Sequence, residues 1–299
     1  MTTATDSTRT IVTGSKSALP ARRAGSSRNR EQLISWAFLA PFLLAFVLFL
    51  AWPIVHGIIL SFTDQSLTGA GGSFIGFANY AEALADPKMW QSMGNTVWFT
   101  LLSTVPLVVI ALLMAALVDR GLPGQWLWRL SFFMPYLLAS TVISQIWVWI
   151  FNPQIGAANN ILEFFGLEPL AWLQNPDTNM LSIVIATIWW TVGFNFLLYL
   201  AAMQNIPPQQ YEAASLDGAG PWRQFWSITL PQLGPATVLI LILQILASLK
   251  LFDQAYQMLG GVASDTTRSI VQYIYEAGFV SYRFGYSAAI SYVFFALIV

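Results

Sequence analysis

Long apolar runs alternate with short polar segments along most of this chain. A helix needs about 20 apolar residues to cross about 30 Å of hydrocarbon. Because a bilayer offers no water to backbone N–H and C=O groups, such runs cross it as helices. The pattern predicts an all-α, polytopic membrane protein with six transmembrane helices, at about residues 36–62, 95–118, 127–151, 180–203, 236–252 and 284–299.

The two ends of the chain differ from this middle region. Residues 1–30 are rich in Ser, Thr, Ala and Arg, which predicts a disordered, basic cytoplasmic tail. The first run is too long for a signal-peptide h-region, so we expect it to be retained. From Gly285 to Val299 the last run covers only roughly 22 Å at 1.5 Å per residue, and no Lys or Arg anchors its end. We therefore expect a transmembrane domain over residues 31–299 with a truncated last span.

Composition supports a membrane environment and excludes several kinds of chemistry. The chain is 56% hydrophobic and 9% charged, whereas soluble domains are about half apolar and about a quarter charged. It contains no cysteine and a single histidine, His56, so disulfides, thiol chemistry and Cys-based zinc sites are excluded. We predict no catalytic residues and no metal ligands, and we expect contact with lipid and none with nucleic acid.

Lys and Arg are distributed unevenly between the two sides of the predicted membrane region. If the N-terminal tail is cytoplasmic, the opposite side holds only Lys88, Lys250, Arg268 and Arg283. The positive-inside rule assigns the side richer in Lys and Arg to the cytoplasm, and this orientation also places residues 212–220 there. The cytoplasmic side then holds Arg9, Lys16, Arg22, Arg23, Arg28, Arg30, Arg120, Arg129 and Arg223.

A polar segment between the fourth and fifth runs predicts two short helices at the membrane surface. Pro207 and Pro208 end the fourth run, and proline suits the first turn of a new helix. Gly218 is placed to cap that helix at its C-terminus, and Pro221 opens a second helix. An aromatic face on the second helix is predicted from the spacing of Trp222, Phe225 and Trp226.

The same segment resembles the signature loop of ABC-importer permease subunits. Between Glu212 and Pro235 it contains Glu-Ala-Ala, a two-residue gap, Asp-Gly-Ala and a later Leu-Pro. In that family the loop docks onto a cytosolic ATPase. An amphipathic interfacial helix that only stabilises the bundle is the alternative interpretation. The resemblance implies ATPase coupling through Tyr211, Glu212, Ala213, Ala214, Asp217, Gly218 and Ala219.

The resemblance covers about residues 35–299 and indicates the carbohydrate-uptake branch, which includes maltose-type and glycerol-3-phosphate-type permeases. One departure is Val262, because the family usually has proline after the glycine pair. The matching segments are Phe38-Leu39-Ala40-Pro41, Trp52-Pro53-Ile54, Ser61-Phe62-Thr63, residues 74–80, Pro135, Phe252-Asp253 and Gly260-Gly261.

Family membership of this kind implies partners. No Gly-x-x-x-x-Gly-Lys-Ser/Thr loop occurs in the sequence, so we expect no enzymatic activity and no cofactor bound by this chain. The resemblance implies two cytosolic ATPase subunits that bind Mg-ATP, a second permease chain in a heterodimer, and an extracytoplasmic sugar-binding protein. It places the chain in a bacterial cell membrane with a cytoplasmic N-terminus.

Polar and aromatic side chains inside the fourth and fifth runs predict a substrate pocket. Polar groups within spans are costly and usually face a cavity or another helix. Sugars need amides or hydroxyls for hydrogen bonds and flat aromatic surfaces for their C–H faces. Interhelical hydrogen bonding is an alternative role for each polar residue. The predicted lining, which also resembles the maltose-type pocket by position, is Trp190, Thr191, Phe194, Gln244, Ser248 and Leu251.

These features predict a permease subunit of a binding-protein-dependent ABC importer for a sugar or oligosaccharide, forming half of the translocation path. Glycerol phosphate or another polar solute is an alternative substrate, although the spans contain few Lys or Arg residues that could bind an anion. Lys250 and Asp253, three residues apart, are expected to form a local ion pair. A secondary transporter would be expected to show internal repeats and ion-coupling acids, and a membrane enzyme would need clustered acids or histidines.

Overall fold

A computed structural model describes residues 24–69, 71–121, 123–262 and 264–298. Within this range the regular structure is helical, which confirms the all-α prediction. Residues 1–23 of the predicted tail lie outside the described residues, so their disorder stays a prediction, whereas residues 24–30 are helical and belong to α1. The helices are α1 (Ala24–Phe46), α2 (Trp52–Ser61), α3 (Ala78–Ala85), α4 (Pro87–Asp119), α5 (Gln125–Phe133), α6 (Ser140–Ile150), α7 (Ala157–Phe164), α8 (Asn179–Gln204), α9 (Pro208–Leu216), α10 (Pro221–Gln224), α11 (Leu230–Gln232), α12 (Gly234–Ser248), α13 (Asp253–Met258), α14 (Ile270–Tyr275) and α15 (Phe284–Ile298).

The chain divides into two compact units, residues 1–56 and residues 57–299. The described part of the first unit is an apolar helical segment whose large side chains, such as Phe38 and Phe49, are exposed. Exposed apolar surface of this kind is what a bilayer accommodates and water does not. The second unit contains three clusters of buried apolar residues and holds both candidate functional sites.

Three helical stretches in the described residues are long and apolar enough to cross a membrane, and two more candidates are bent pairs. The straight candidates are Ile34–Ser61, Pro87–Asp119 and Asn179–Gln204, and α15 is a shorter apolar helix. One bent pair, Pro221–Gln232 with Gly234–Ser248, is bent by 64°. The three single helices, Gly234–Ser248 and α15 overlap five of the predicted runs, whereas Pro221–Gln232 lies in the predicted polar segment.

The other bent pair corrects the prediction of one continuous helix over residues 127–151. Gln125–Leu137 and Ser140–Ile150 meet at 97°. Leu138 and Ala139 between them have extended backbones, with ψ of 145° and 148°. Two consecutive extended residues cannot continue the i→i−4 hydrogen bonds of a helix, so the chain turns there although its apolar composition is uninterrupted.

Helices α4 and α8 form the centre of the largest buried cluster. Leu107, Ala111 and Ala115 of α4 are buried against Phe196 and Tyr199 of α8. The two alanines are four residues apart, so they form a small-residue stripe that lets a neighbouring helix approach closely. This contact holds α8, which carries much of the candidate pocket, in a fixed position.

Helix α8 also packs against α5 at a glycine. A Cβ atom on Gly193 would lie 2.1 Å from the carbonyl oxygen of Phe132, well inside van der Waals contact. Only glycine lets the two backbones approach this closely. Gly193 therefore sets the position of the bent pair relative to α8.

A polar cluster connects α3 and α4 to the C-terminal elements. Asp86 accepts hydrogen bonds from the hydroxyls of Tyr273 and Tyr286, the latter at 2.7 Å. Arg283 makes a two-point ion pair with Glu82, at 2.7 and 2.6 Å. Both contacts join segments about 200 residues apart in sequence, so they tie the ends of the second unit together.

Candidate functional sites: a polar helical loop and an aromatic pocket

The polar loop begins with α9, and a glycine caps the C-terminus of this helix, as the sequence predicts. Gly218 has a positive φ of 78°. The N–H of Ala219 donates to the carbonyl of Ala214 at 2.9 Å, and the N–H of Gly218 donates to the carbonyl of Ser215 at 3.0 Å. These two bonds are the Schellman motif, which satisfies the last carbonyls of a helix. The chain then enters α10 at Pro221.

Side-chain hydrogen bonds hold α9 to α10 and to the residues that follow α10, and most of the side chains involved were not singled out by the sequence pattern. The amide nitrogen of Gln224 donates to Ser215 Oγ at 2.8 Å and to the Ala219 carbonyl at 3.0 Å. The Tyr211 hydroxyl bonds to Thr229 Oγ1 at 2.9 Å. Tyr211 is therefore part of the internal structure of the loop. Only the amide and hydroxyl types of these residues were visible in the sequence, because their pairing depends on the turn at Gly218.

The outer surface of the loop presents acidic and apolar groups. Glu212, Ala213 and Asp217 are exposed, and the apolar side chain of Leu216 is 91% exposed. The predicted aromatic face is present, since the rings of Trp222, Phe225 and Trp226 lie 5.6–6.2 Å apart between centroids. Ala214 and Ala219 are half-buried. The loop is thus a rigid element with an exposed, acidic and apolar surface.

The second site is a pocket of about 240 Å³ between α4, α6, α8 and the region where α12 ends. This volume is below the about 300–1,000 Å³ of typical ligand pockets, so it suits one unit of a larger ligand. Phe194, one of the predicted residues, does not line it and instead stacks on Tyr136 at 5.1 Å. The predicted residues that do line it are Trp190, Thr191, Gln244, Ser248 and Leu251.

A chain of buried hydrogen bonds runs along one wall of the pocket. Asn195 Nδ2 donates to Gln244 Oε1 at 2.8 Å, and Gln244 Nε2 donates to Ser248 Oγ at 3.1 Å. The Ser248 and Ser103 hydroxyls are 3.1 Å apart. These bonds join α4, α8 and α12, so the interhelical role considered for Gln244 and Ser248 is present. Both residues also face the pocket.

Other lining residues are held in place by their own hydrogen bonds. Thr187 Oγ1 lies 2.9 Å from Gln254 Oε1, and Thr191 Oγ1 donates to the Thr187 carbonyl at 2.8 Å. Trp190 Nε1 donates to the Leu138 carbonyl at 3.2 Å. Because this bond uses the indole N–H, Trp190 offers a ligand its ring surface.

The pocket lining also includes two charged residues whose sequence spacing predicts a mutual ion pair. Lys250 and Asp253 both line the pocket, and within the part of the chain that the structure describes they form no ion pair with each other or with another residue. The expected local ion pair is therefore absent there. The expectation assumed a helix that continues through both residues. Instead α12 ends at Ser248, and residues 249–252 are not α-helical. The remaining lining residues are Phe99, Ser140, Thr187, Ala247, Phe252 and Gln254.

Among the described residues there is no group of three or more His, Asp or Glu side chains that could hold a metal ion. The arrangement of the pocket is one of aromatic surfaces, amides, hydroxyls and two opposite charges. Such a set can bind a polar, hydroxyl-bearing ligand.

Comparison with known proteins places these two sites in context. The family described as "Binding-protein-dependent transport system inner membrane component" matches residues 75–299. The sulfoquinovosyl glycerol transport system permease protein SmoG of Agrobacterium fabrum is 35% identical over 268 residues, which cover 89% of this chain and 87% of SmoG. The sn-glycerol-3-phosphate transport system permease protein UgpA of the same organism is 32% identical over 272 residues, covering 90% and 92%.

A solved structure supports the fold at greater evolutionary distance. A chain of a bacterial alginate ABC transporter, in complex with an alginate pentasaccharide-bound periplasmic protein, superposes with a TM-score of 0.78. The identity is 22%, and the match covers 93% of each chain. At this identity the likeness concerns the fold alone.

Proposed function

This chain belongs to the family of binding-protein-dependent transport system inner membrane components, and from this premise we propose that it is one permease subunit of an importer for a sugar or oligosaccharide. The observation that carries the proposal is the pocket, whose lining combines the aromatic ring of Trp190 with the amide of Gln244 and the hydroxyl of Thr191. Aromatic rings stack on the C–H faces of sugars, while amides and hydroxyls form hydrogen bonds with the hydroxyls of sugars. The name of SmoG, a permease for sulfoquinovosyl glycerol, supports a sugar substrate.

The polar loop supports a second part of the proposed function, which is coupling to ATP hydrolysis. We propose that α9 and the turn at Gly218 dock onto a cytosolic ATPase, which binds and hydrolyses Mg-ATP. Glu212 and Asp217 offer exposed acceptors, and exposed Leu216 offers an apolar contact. Since Gln224 ties α9 to α10, a movement of the ATPase would be transmitted to α12 through a stiff connection. The full transporter would contain two ATPase subunits, this chain, a second permease chain and an extracytoplasmic binding protein.

The orientation of the chain follows from its cations. With the N-terminus in the cytoplasm, most Lys and Arg residues lie on the cytoplasmic side, in agreement with the positive-inside rule. The same orientation brings the polar loop to the side where ATP is available. A cysteine introduced in the polar loop of this naturally cysteine-free chain tests it. Labelling by a membrane-impermeant maleimide in intact cells would contradict the proposed side, whereas labelling only after cell lysis supports it.

Glycerol phosphate is a second candidate substrate. The name of UgpA, which is 32% identical to this chain, specifies sn-glycerol 3-phosphate, and Lys250 in the pocket supplies one cation. Phosphate sites usually combine several cationic or N–H donors, and among the described residues Lys250 is the only cation in the lining. The sugar proposal is therefore the better supported of the two.

The transport proposal is tested with the complete transporter. The binding protein that works with this chain is screened by thermal shift against neutral sugars, uronic acids and sn-glycerol 3-phosphate. The ligand that stabilises it most is then given as a radiolabelled probe to proteoliposomes that contain the purified transporter, with ATP inside or absent. We expect ATP-dependent uptake of a sugar. Uptake of glycerol phosphate alone would favour the second candidate, and ATP-independent exchange driven by an ion gradient would overturn the importer assignment.

A further inference from the structure

Lys250 and Asp253 lie in the pocket wall because the helix that carries them is interrupted. Helix α12 ends at Ser248, and α13 begins at Asp253. In the tightened end of α12, the N–H of Lys250 donates to the carbonyl of Ala247 at 3.2 Å. The break therefore brings two charged residues, which lie at the end of an apolar run, into the lining of the pocket.

The charges of both side chains are available to a ligand. Lys250 and Asp253 are exposed, and within the described residues neither side chain makes a hydrogen bond or an ion pair. Some other charged groups of this unit do form ion pairs, as Arg268 does with Asp265 at 2.8 Å. A cation and a carboxylate three residues apart often pair, so their separation here leaves the pocket with one strong donor and one strong acceptor.

The remaining polar groups of the lining have much of their hydrogen-bonding capacity in use. Gln244 donates to Ser248 and accepts from Asn195. The indole N–H of Trp190 is bonded to a backbone carbonyl. A ligand with several hydroxyls therefore finds few free partners among the predicted residues. The unpaired groups of Lys250 and Asp253 supply what is missing.

We propose that Asp253 and Lys250 bind an uncharged sugar unit of the substrate in this pocket, beside the Trp190 ring. The Asp253 carboxylate accepts hydrogen bonds from two adjacent hydroxyls, and the Lys250 ammonium donates to a hydroxyl or ring oxygen. The two charges sum to zero, so a neutral polyol satisfies both groups, whereas an anionic group paired with Lys250 also meets the Asp253 carboxylate. The inference rests on the proposed sugar-import function and deepens it by naming the residues that select a neutral substrate unit.

Charge-removing variants give the first test. Lys250→Gln and Asp253→Asn are measured in the complete transporter with two probes, the best neutral sugar from the binding-protein screen and sn-glycerol 3-phosphate. The matched controls are Lys88→Gln and Asp177→Asn, which make the same changes at exposed positions outside the pocket. Loss of a hydrogen bond to a charged group weakens binding by about tenfold or more. We expect neutral-sugar uptake to fall about tenfold or more in each pocket variant and to stay at the wild-type rate in the controls.

Chemical rescue gives the second test and does not depend on the first variants folding well. Because the chain contains no cysteine, Lys250→Cys and Asp253→Cys each introduce a unique thiol in it. Methanethiosulfonate ethylammonium restores a positive charge at residue 250, and the ethylsulfonate analogue restores a negative charge at residue 253. We expect each reagent to recover uptake only at its matching position. The wild-type transporter treated in the same way controls for thiols of the partner subunits.

The outcomes separate this inference from the transport proposal. ATP-dependent sugar uptake by the wild-type transporter, with pocket variants equal to their controls and no charge-specific rescue, would overturn the inference and leave the function intact. Loss of only glycerol phosphate uptake in Lys250→Gln, with a gain in Asp253→Asn, would also overturn it, because Lys250 would then bind an anion. Absence of any ATP-dependent uptake by the wild-type transporter would refute both.

Discussion

The side-chain amide of Asn195 in α8 donates to the Gln244 side chain in α12 at 2.8 Å, and both residues are buried. This contact joins two helices that both line the pocket. The side-chain amide of Gln244 in turn donates to the Ser248 hydroxyl at 3.1 Å. The pocket wall is therefore built on a polar connection between helices, so residues that face the ligand also hold the fold.

We expect Gln244→Ala to lower both stability and uptake. The change leaves the buried Asn195 amide without its acceptor, and a buried unsatisfied group costs about 1–3 kcal/mol. The apparent melting temperature of the detergent-solubilised chain measures stability, and ATP-dependent uptake measures function. Gln154→Ala, at an exposed position, is the control. A melting temperature equal to wild type together with lost uptake would show that Gln244 acts on the ligand alone.

Trp190→Ala should impair uptake with a smaller effect on stability than Gln244→Ala. Trp190 is half-buried, and its ring surface rather than its N–H is offered to a ligand. Trp190→Phe keeps an aromatic face and should retain more uptake than Trp190→Ala. Co-purification of the ATPase with each variant checks assembly. If the Phe and Ala variants transported equally, aromatic stacking would not be part of the site.

Gly218 and Gly220 form a matched pair for testing the polar loop. Gly218 has a φ of 78°, whereas Gly220 has a φ of −69°, and a Cβ atom added at either residue would meet no neighbouring atom within 4 Å. Ala at a left-handed position costs roughly 1–2 kcal/mol, so Gly218→Ala should weaken the cap and Gly220→Ala should not. We expect lower ATPase co-purification and uptake only in Gly218→Ala, with Gly218→Pro more severe. Equal behaviour of the two alanine variants would contradict a conformational role for Gly218.

Glu212→Lys tests the docking surface itself. Glu212 is exposed, and its side chain makes no hydrogen bond or ion pair to another described residue, so reversal of its charge should leave the loop folded. We expect transport to be uncoupled from ATP hydrolysis or the ATPase to be lost on purification, with membrane insertion unchanged. Glu168→Lys, at an exposed position outside the loop, is the control. Normal co-purification and normal uptake in Glu212→Lys would refute the docking proposal.

The Asp86 cluster predicts a pH dependence of stability. Burial opposes ionisation of Asp86, but hydrogen bonds from Tyr273, Tyr286 and the backbone N–H groups of Lys88 and Met89 outweigh it, so the pKa of Asp86 lies below its usual value. A carboxyl with a lowered pKa stabilises the fold fully above its unfolded pKa of about 3.9, and this contribution is lost as pH falls through the folded pKa. The melting temperature difference between wild type and Asp86→Asn should therefore be largest at neutral pH and shrink below about pH 4. Asp177→Asn should show no such trend.

The helices and the loop were largely decided by the sequence. Apolar runs of span length predict helices because a bilayer leaves backbone groups no other partner. The cap at Gly218 and the start of α10 at Pro221 follow from local backbone preferences, which do not depend on distant residues. The sequence also predicted five residues of the pocket lining, because polar and aromatic residues inside a span usually face a cavity or another helix. These are Trp190, Thr191, Gln244, Ser248 and Leu251.

The tertiary structure alone decided how these pieces combine. The 97° bend between Leu137 and Ser140 interrupts an apolar run that shows no break in composition. Phe194 is aromatic and lies four residues after Trp190 on α8, yet it does not line the pocket and stacks on Tyr136 of the bent pair. Lys250 and Asp253 have a spacing that favours pairing, but the end of α12 separates them. The packing of the bent pair against α8 and the stacking of Tyr136 on Phe194 depend on contacts between residues far apart in the chain, which local sequence does not specify. The separation of Lys250 and Asp253 depends on where α12 ends.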